Sequence, residues 1–314
     1  MNSRIHPKYK SKYRVQNWAA YDRVLVRRGS ITVWLTPEAV TAWKPRRSGN
    51  PGGQPRYSDL AIETALTLRL VFHMPLRQTE GFLTSIFEMM CVDLDVPDHT
   101  TLSRRSQSLE VLLNRVVANA PIHLIIDSTG LSIVGEGEWA AVKHGGKGRR
   151  GWKKLHLGVD GSGAIVSHVL TDGAADDAKT GLEVIDAVVD EIQTITGDAA
   201  YDAIAIYDAG ACRGAKVVVP PVRTAAVSKR GRRSLSRDRT IRRVKKVGRR
   251  RWKKESSYHR QGTVENAFFR YKSIIGGRLR GRHPESQRVE AALACNVLNR
   301  MLDLGRPASI AKGR

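Results

Sequence analysis

The chain has 314 residues, of which 41% are apolar, so it can bury a hydrophobic core and is not expected to be disordered as a whole. It contains no run of about 18 apolar residues, which argues against a membrane span, and its basic start lacks the apolar stretch of a secretory signal. Its 3 cysteines are far apart in the sequence. They predict neither a disulfide framework nor a zinc site, and they suit a reducing cytoplasm.

The charge of the chain is strongly positive, with 53 Lys and Arg against 30 acidic residues and a net charge of +23. Nucleic acid is the natural partner of so basic a protein, although ribosomal and membrane-surface proteins share this balance. Residues 222–255, the basic insertion, hold sixteen Lys or Arg and two acidic residues. Because this segment has few apolar residues, we expect it to be disordered or extended alone and ordered on nucleic acid.

Residues 1–55 form a basic N-terminal lead-in. Three tryptophans close together in sequence, Trp18, Trp34 and Trp43, indicate a small helical packing unit. The Gly- and Pro-rich stretch 48–55 that follows is typical of a linker or loop.

Residues 56–118 are predicted to be helical. Ser58 can cap a first helix, and a second extends from 76 to 90 with apolar residues on one face. A third helix start carries hydroxyl side chains together with Arg104 and Arg105. This arrangement is helix-turn-helix-like and would offer its arginines to a DNA groove and backbone. An ordinary amphipathic helix with a solvated basic face explains the same pattern, and both interpretations stay open.

At about residue 119 the apolar pattern changes to that of β-strands. The predicted strands are 123–126, 153–159, 164–170, 194–196 and 216–220, with helices at 175–192 and from about 202. Three consecutive strands followed by alternating helices and strands predict an α/β fold, a mixed sheet with helices on both faces, in the ribonuclease-H-like arrangement. This unit spans 119–280 and includes the basic insertion, and residues 281–314 form a C-terminal helix and tail.

Asp127 and Asp198 each follow a short apolar strand, which places a carboxylate at the mouth of a sheet, where ligand sites commonly form. Two carboxylates brought together repel each other, so a bound cation is expected. Hard oxygen ligands suit Mg²⁺ or Mn²⁺, and two such ions can promote phosphodiester chemistry. The alternative for each Asp alone is a turn or cap residue.

Glu265 lies in the middle of a predicted helix that extends from about 261 to 275. Lys272, about two turns further on, shares its face. A carboxylate for metal and an ammonium for phosphate therefore lie on one face of the helix. Phe268 and Phe269 are expected to bury one side of this helix. The alternative is a glutamate on the solvated face of an amphipathic helix.

The sequence from Tyr258 to Lys272 resembles the Tyr-x2-Arg-x3-Glu-x6-Lys box of bacterial insertion-sequence transposases of the DDE class. Tyr258, Glu265 and Lys272 match it, whereas the Arg position holds Gln261, with Arg260 one residue earlier. The segments Asp127-Ser-Thr-Gly and Gly197-Asp-Ala-Ala-Tyr-Asp resemble the two aspartate motifs of the same group, and Trp152-Lys-Lys-Leu-His-Leu-Gly-Val-Asp resembles its second strand. The resemblance covers about residues 55 to 300.

This resemblance implies a metal-dependent endonuclease and strand transferase in which Asp127, Asp198 and Glu265 hold two Mg²⁺ or Mn²⁺ ions. Tyr258 and Lys272 would contact DNA phosphates near the cut. The enzyme would bind the terminal inverted repeats, cut the element's ends with water, and join the freed 3′-hydroxyl to target DNA. It would act as a dimer in a synaptic complex, in the bacterial cytoplasm at the nucleoid, without a membrane partner.

Further DNA contacts are expected from the basic insertion, where Arg249, Arg250 and Arg251 would follow the backbone and Trp252 would stack on an unpaired base. A solvated flexible arm, with Trp252 packed on the sheet, is the alternative. Arg260 joins these residues as a candidate contact near the cut. Two other functions remain open: a ribonuclease-H-like nuclease without transposition, and a non-catalytic DNA-binding derivative of a transposase.

Overall fold

A computed structural model of the chain describes residues 13–45, 49, 53–134, 151–228 and 235–311. The N-terminal part is helical and begins with a short strand, β1 (Tyr13–Val15). Its helices are α1 (Trp18–Arg28), α2 (Ile31–Trp34), α3 (Pro37–Thr41), α4 (Asp59–Val71), α5 (Leu76–Met89) and α6 (His99–Arg105). Side-chain oxygens cap three of them: Thr36 accepts from Ala39 N at α3, Ser58 from Ala61 N at α4, and Asp98 from two amides at α6.

A mixed six-stranded sheet follows. Its strands are β2 (Ile122–Ile133), β3 (Trp152–Val159), β4 (Ile165–Asp172), β5 (Ile192–Thr196), β6 (Lys216–Val218) and β7 (Arg278–Leu279). The strand order is β4-β3-β2-β5-β6, and β7 pairs with the end of β2. β3 is antiparallel to both β2 and β4, whereas β5 is parallel to β2 and β6 is parallel to β5. The chain therefore has the mixed α/β architecture that its strand and helix order predicts.

Helices cover both faces of the sheet. They are α7 (Asp177–Asp186), α8 (Ile204–Cys212), α9 (Leu235–Val247), α10 (Arg249–Glu255), α11 (Gly262–Ile274) and α12 (Pro284–Asp303). Because side chains alternate along a strand, Leu124 and Ile126 of β2 belong to the core with α7 and α8. Ile125 and Leu131 belong to the core with α11, α12 and α4. A final strand, β8 (Ser309–Ala311), pairs with β1.

One strand, one helix and one side chain differ from the sequence prediction. The first strand does not end at Ile126 but continues to Ile133, because β3 pairs with it from Ile125 to Ser132. The helix predicted over 175–192 ends at Asp186, since Ile192 already begins β5. Phe269, expected to be buried, is 70% exposed, whereas its neighbour Phe268 is 7% exposed. The buried face of α11 therefore includes Phe268 but not Phe269.

The basic insertion forms two helices between Leu235 and Glu255, which corrects the expectation of a disordered or extended segment there. Gly248, with a φ of 80°, separates α9 from α10. The apolar residues Ile241 and Trp252 are 1% and 6% exposed. Arg237 of α9 forms an ion pair with Asp202. These two helices are therefore in contact with the rest of the protein.

Half of the predicted linker at 48–55 lies outside the described residues. One continuous core includes residues of α4, β2, β3, α11 and α12, so it crosses the boundaries predicted at 118 and 280. The division into domains accordingly stays a prediction. Within the described ranges, no helix is both long enough and apolar enough to span a membrane.

Candidate active site

Asp127 and Asp198 lie at the same level on neighbouring parallel strands. The last paired residues of β2 and β5 are Ile125 and Thr196, and each aspartate is two residues further along its chain. Parallel strands lie about 4.8 Å apart, so the backbones of the two aspartates are close together where β5 ends. β2 continues past Asp127 along β3. The site is therefore at a strand junction, not at the end of β2.

Each aspartate is oriented by a backbone amide. Asp127 Oδ1 accepts from Ser128 N at 2.8 Å, and Asp198 Oδ1 accepts from Ala200 N at 2.9 Å. In the part of the chain that the structure describes, the second oxygen of each carboxylate accepts no hydrogen bond. These free oxygens are suitable ligands for a hard cation.

The pKa of Asp127 is raised to about 6, chiefly by burial, with smaller raising effects of the Asp198, Glu265 and Asp177 carboxylates and an opposing effect of the Ser128 amide. α11 packs against β2, and Glu265 on this helix contributes to the raised pKa of Asp127. Glu265 itself is exposed. The three acids named from the sequence thus share one electrostatic environment, in which repulsion among carboxylates favours a bound cation.

The three acids do not form a preassembled metal cage. Among residues 13–45, 49, 53–134, 151–228 and 235–311, no three His, Cys, Asp or Glu side chains are close enough to hold one ion together. The donor set still fits Mg²⁺ or Mn²⁺, because it consists of carboxylate oxygens alone and two of them are free.

Tyr258 lies among these acids. Burial raises the pKa of its phenol to about 12, with further contributions from Asp198, Asp127 and Glu265, while Arg249 lowers it. The hydroxyl therefore stays protonated and can donate a hydrogen bond. Lys253 Nζ lies 4.6 Å from the centre of the ring.

Gln261 connects α11 to β2 directly beside Asp127. Its side-chain Nε2 donates to the backbone oxygen of Ile126 at 3.3 Å, and the residue is 5% exposed. Its Oε1 is buried without a hydrogen-bond partner among the described residues. Sequence analysis noted Gln261 only as a departure from the box. Arg260, its neighbour, lowers the pKa of His123, an effect smaller than that of burial.

Asp177, the first residue of α7, belongs to the surroundings of the site. Asp176 is the cap of α7, while Asp177 accepts from Ser128 Oγ at 2.7 Å and from Lys154 Nζ at 3.2 Å. His156 Nδ1 lies 3.7 Å from the same carboxylate. Burial lowers the pKa of His156 to about 4, so its ring is neutral, as a structural histidine should be.

Asp202, close after Asp198 in sequence, is fully engaged. Arg237 Nε donates to its Oδ1 at 2.7 Å, and Arg237 and the amide of Val222 donate to Oδ2. The Asp202 side chain is 0% exposed. This carboxylate therefore anchors α9 next to the site and has no oxygen left for a metal ion.

The arginines proposed for DNA contact differ in their surroundings. Arg105 donates to the carboxylate of Asp59 and to the oxygen of Tyr57, so it holds α6 against the start of α4. Arg104 is exposed and lines a groove of about 890 Å³. The groove is also lined by three further arginines, Arg69, Arg77 and Arg280, and by no acidic residue of the described ranges.

The arginines of α10 are partly occupied by the protein. Arg249 donates to the Pro221 oxygen, and Arg251 pairs with Glu255, while Arg250 is exposed. Trp252 is 6% exposed, and its ring centre lies 6.1 Å from that of Tyr258. This burial favours the interpretation that Trp252 packs within the protein.

Two family models match this chain. A family model described as "Transposase DDE domain" matches residues 118–300, more than half of the chain, and a second with the same description matches 26–136. The chain therefore belongs to the DDE transposase family.

Among solved structures, the chain is similar to a piggyBac transposase synaptic complex with hairpin DNA, determined by cryo-EM. The identity is 11%, with 89% of this chain and 76% of that chain covered, and the TM-score is 0.36.

Proposed function

We propose that this protein cuts DNA at the ends of a mobile element and joins the freed 3′-hydroxyl to target DNA, with Asp127, Asp198 and Glu265 as its catalytic carboxylates. The observation that carries the proposal is that Asp127 and Asp198 each lie two residues beyond the last paired residues of the neighbouring strands β2 and β5. The effect of Glu265 on the pKa of Asp127 supports its place in the same site.

The ribonuclease-H-like arrangement is the fold we propose for the sheet. Three antiparallel strands, β4, β3 and β2, continue into two parallel ones, β5 and β6. This order matches the one expected from the sequence and puts the junction of the two halves at Asp127. Ligand sites in α/β sheets form at such junctions.

Two Mg²⁺ or Mn²⁺ ions held by the three carboxylates would activate the attacking oxygen and stabilise the leaving one. Other side chains of the protein contact the phosphate or position the catalytic acids. Tyr258, protonated because its pKa is raised, donates to a phosphate oxygen. Lys272, exposed on the same helix as Glu265, supplies positive charge to the phosphate. Gln261 fixes the start of α11 against β2, which sets the distance of Glu265 from Asp127.

DNA binding is proposed for two surfaces. The first is the groove beside Arg104, in the helical region of residues 56–118, which would hold the terminal repeat in a helix-turn-helix-like manner. The second is α10 with Arg249, Arg250 and Arg251, together with Arg260 near the cut. Trp252 could reach a base only after leaving its packing against Tyr258. Two element ends processed together require a dimer in the synaptic complex, which we place in the bacterial cytoplasm.

The experiment uses duplexes that carry the terminal sequences flanking the gene and follows cleavage and joining to a plasmid in Mg²⁺. Asp127→Asn should abolish both products and leave duplex binding intact. Asp186→Asn, an exposed carboxylate on α7, is the matched control and should retain both. Cleavage without joining would indicate a nuclease, and equal cleavage by Asp127→Asn would disprove the assigned site.

A further inference from the structure

A second cationic cavity lies beside α11. It has a volume of about 480 Å³ and is bounded by α1, α11 and the segment after α12. Three arginines, Arg28, Arg270 and Arg306, line it together with hydroxyl and amide side chains. Its described lining contains no aspartate or glutamate. It is therefore a site of concentrated positive charge without a counter-charge from the protein.

The three guanidinium groups donate only to backbone oxygens. Arg28 donates to Met301 and Gly305 at 3.3 and 3.4 Å, Arg270 donates to Leu298 at 2.7 Å, and Arg306 donates to Ser162 at 2.7 Å. In the resolved ranges none of the three forms an ion pair with a carboxylate. Several N–H donors of each fork thus remain available to a ligand.

Buried and half-buried cations without a partner are costly. Burial lowers the pKa of Arg270, and repulsion from Arg28 and Arg306 lowers it further. Arg28 Nε is buried, and no acceptor in the described chain receives its hydrogen. A bound anion would relieve both the repulsion and the missing hydrogen bond.

We propose that this cavity binds a phosphate group, with Arg28, Arg270 and Arg306 as its donors. Planar guanidinium forks match phosphate oxygens in pairs and form the stronger, charge-assisted hydrogen bonds. The hydroxyls of Thr263 and Ser273, which line the same cavity, complete a polar wall. A carboxylate ligand would satisfy fewer of these donors than a tetrahedral phosphate.

The phosphate comes either from a DNA backbone or from a free anion, and the location favours DNA. Phe269 also lines the cavity and is 70% exposed. It lies one helical turn from Glu265 on α11. A strand at the cutting site can therefore pass over Phe269 and place a neighbouring phosphate in the cavity. This choice of source rests on the proposed function, whereas the phosphate site itself does not.

A purely structural role is the competing explanation. Arg28 donates to oxygens at the C-terminal end of α12, where cations stabilise a helix. Arg306 decides between the two, because it is exposed and lies beyond α12. Its replacement should leave the fold intact. A role limited to capping predicts no effect of Arg306 on anion binding.

The first measurement is binding of a 30-base-pair duplex as a function of salt. The plot of log affinity against log salt has a negative slope. Arg306→Gln should make this slope less steep by about 0.9, which corresponds to the loss of one phosphate contact. Arg288→Gln removes the same charge from an arginine paired with Glu285 on α12 and should leave the slope unchanged. This difference would assign the phosphate to DNA.

The second measurement is thermal unfolding in inorganic phosphate against chloride of equal ionic strength. If free phosphate is the ligand, it should raise the Tm of the wild type and of Arg288→Gln but not that of Arg306→Gln. A difference between Arg306→Gln and Arg288→Gln in either measurement supports the phosphate site. The measurement that shows the difference identifies whether the phosphate belongs to DNA or to a free anion. If Arg306→Gln matches Arg288→Gln in both, the proposal is wrong. A wild type that binds no DNA contradicts the proposed function, and the phosphate measurement then decides alone.

Discussion

The side-chain amide of Gln261 donates to the backbone oxygen of Ile126 at 3.3 Å, and this bond joins the helix of Glu265 to the strand of Asp127. Ile126 precedes Asp127 directly, so movement of the α11 start would change the separation of the two acids. The bond lies in the interior, where Gln261 is 5% exposed. We therefore regard Gln261 as a positioning residue of the proposed site.

Gln261→Leu should lower the free energy of unfolding by about 1–3 kcal/mol, because the Ile126 oxygen loses its donor in the interior. Misplacement of Glu265 should slow DNA cleavage by up to about 100-fold. Duplex affinity should stay near that of the wild type. Gln193→Leu, an exposed residue of β5, is the control for both measurements. Normal cleavage by a destabilised Gln261→Leu would reduce Gln261 to a packing role.

The raised pKa of Asp127 makes the stability of the metal-free protein depend on pH. The folded protein holds this proton up to about pH 6, whereas the pKa of a free aspartate side chain is 3.8. Between these two values the folded state binds more protons, so stability falls as pH rises through this window. The loss should be roughly 1–3 kcal/mol, smaller than the full shift implies because the group is partly solvated.

Urea unfolding in EDTA from pH 4 to 7 measures this loss. Asp127→Asn cannot titrate and should lack this component of the pH dependence, so it should become relatively more stable than the wild type towards pH 7. Saturating Mg²⁺ should offset the loss in the wild type alone, since the metal binds the carboxylate form. Parallel curves for the two proteins would contradict the raised pKa.

The pair of Arg237 and Asp202 should matter mainly for stability. Arg237→Met leaves the Asp202 carboxylate, which is 0% exposed, without its cation and should cost about 3–5 kcal/mol in chemical unfolding. Arg239→Met, at an exposed position of α9, should cost little. Similar losses for the two variants would mean that α9 is not held to the site by this pair.

Substitutions of Trp252 distinguish a role in protein packing from a role in stacking on a DNA base. Because it is 6% exposed, Trp252→Ala should cost about 3–5 kcal/mol of stability. Trp252→Phe should recover most of that stability and bind single-stranded DNA as the wild type does. A stable Trp252→Ala protein with weakened single-strand binding would instead support stacking on an unpaired base.

Local patterns predicted the order of strands and helices, and with it the mixed sheet. Alternation and apolar runs placed β3, β4, α11 and α12 within a few residues, because these signals depend on neighbours in sequence. The length of β2 was missed, since its second half is paired mainly by β3 and has a polar pattern. The helices of the basic insertion were missed because they contain few apolar residues that could mark a helical period.

The candidate site was predictable to a similar extent. Asp127 and Asp198 follow apolar strands, which is a local signal, whereas Glu265 depended on a family resemblance. The places of Asp177 and Gln261 could not be predicted, because both depend on tertiary contacts with Ser128 and Ile126. The exposure of Phe269 could not be read from its sequence neighbour Phe268 either.

Binding of Mn²⁺ in the presence of a short duplex, followed by electron paramagnetic resonance, tests most directly whether the three acids form one metal site. The wild type should bind Mn²⁺, and Asp198→Asn and Glu265→Gln should each weaken binding at least about 10-fold. Asp186→Asn should bind as the wild type does. Unchanged Mn²⁺ affinity in Glu265→Gln and Asp198→Asn would contradict a metal site built from these carboxylates.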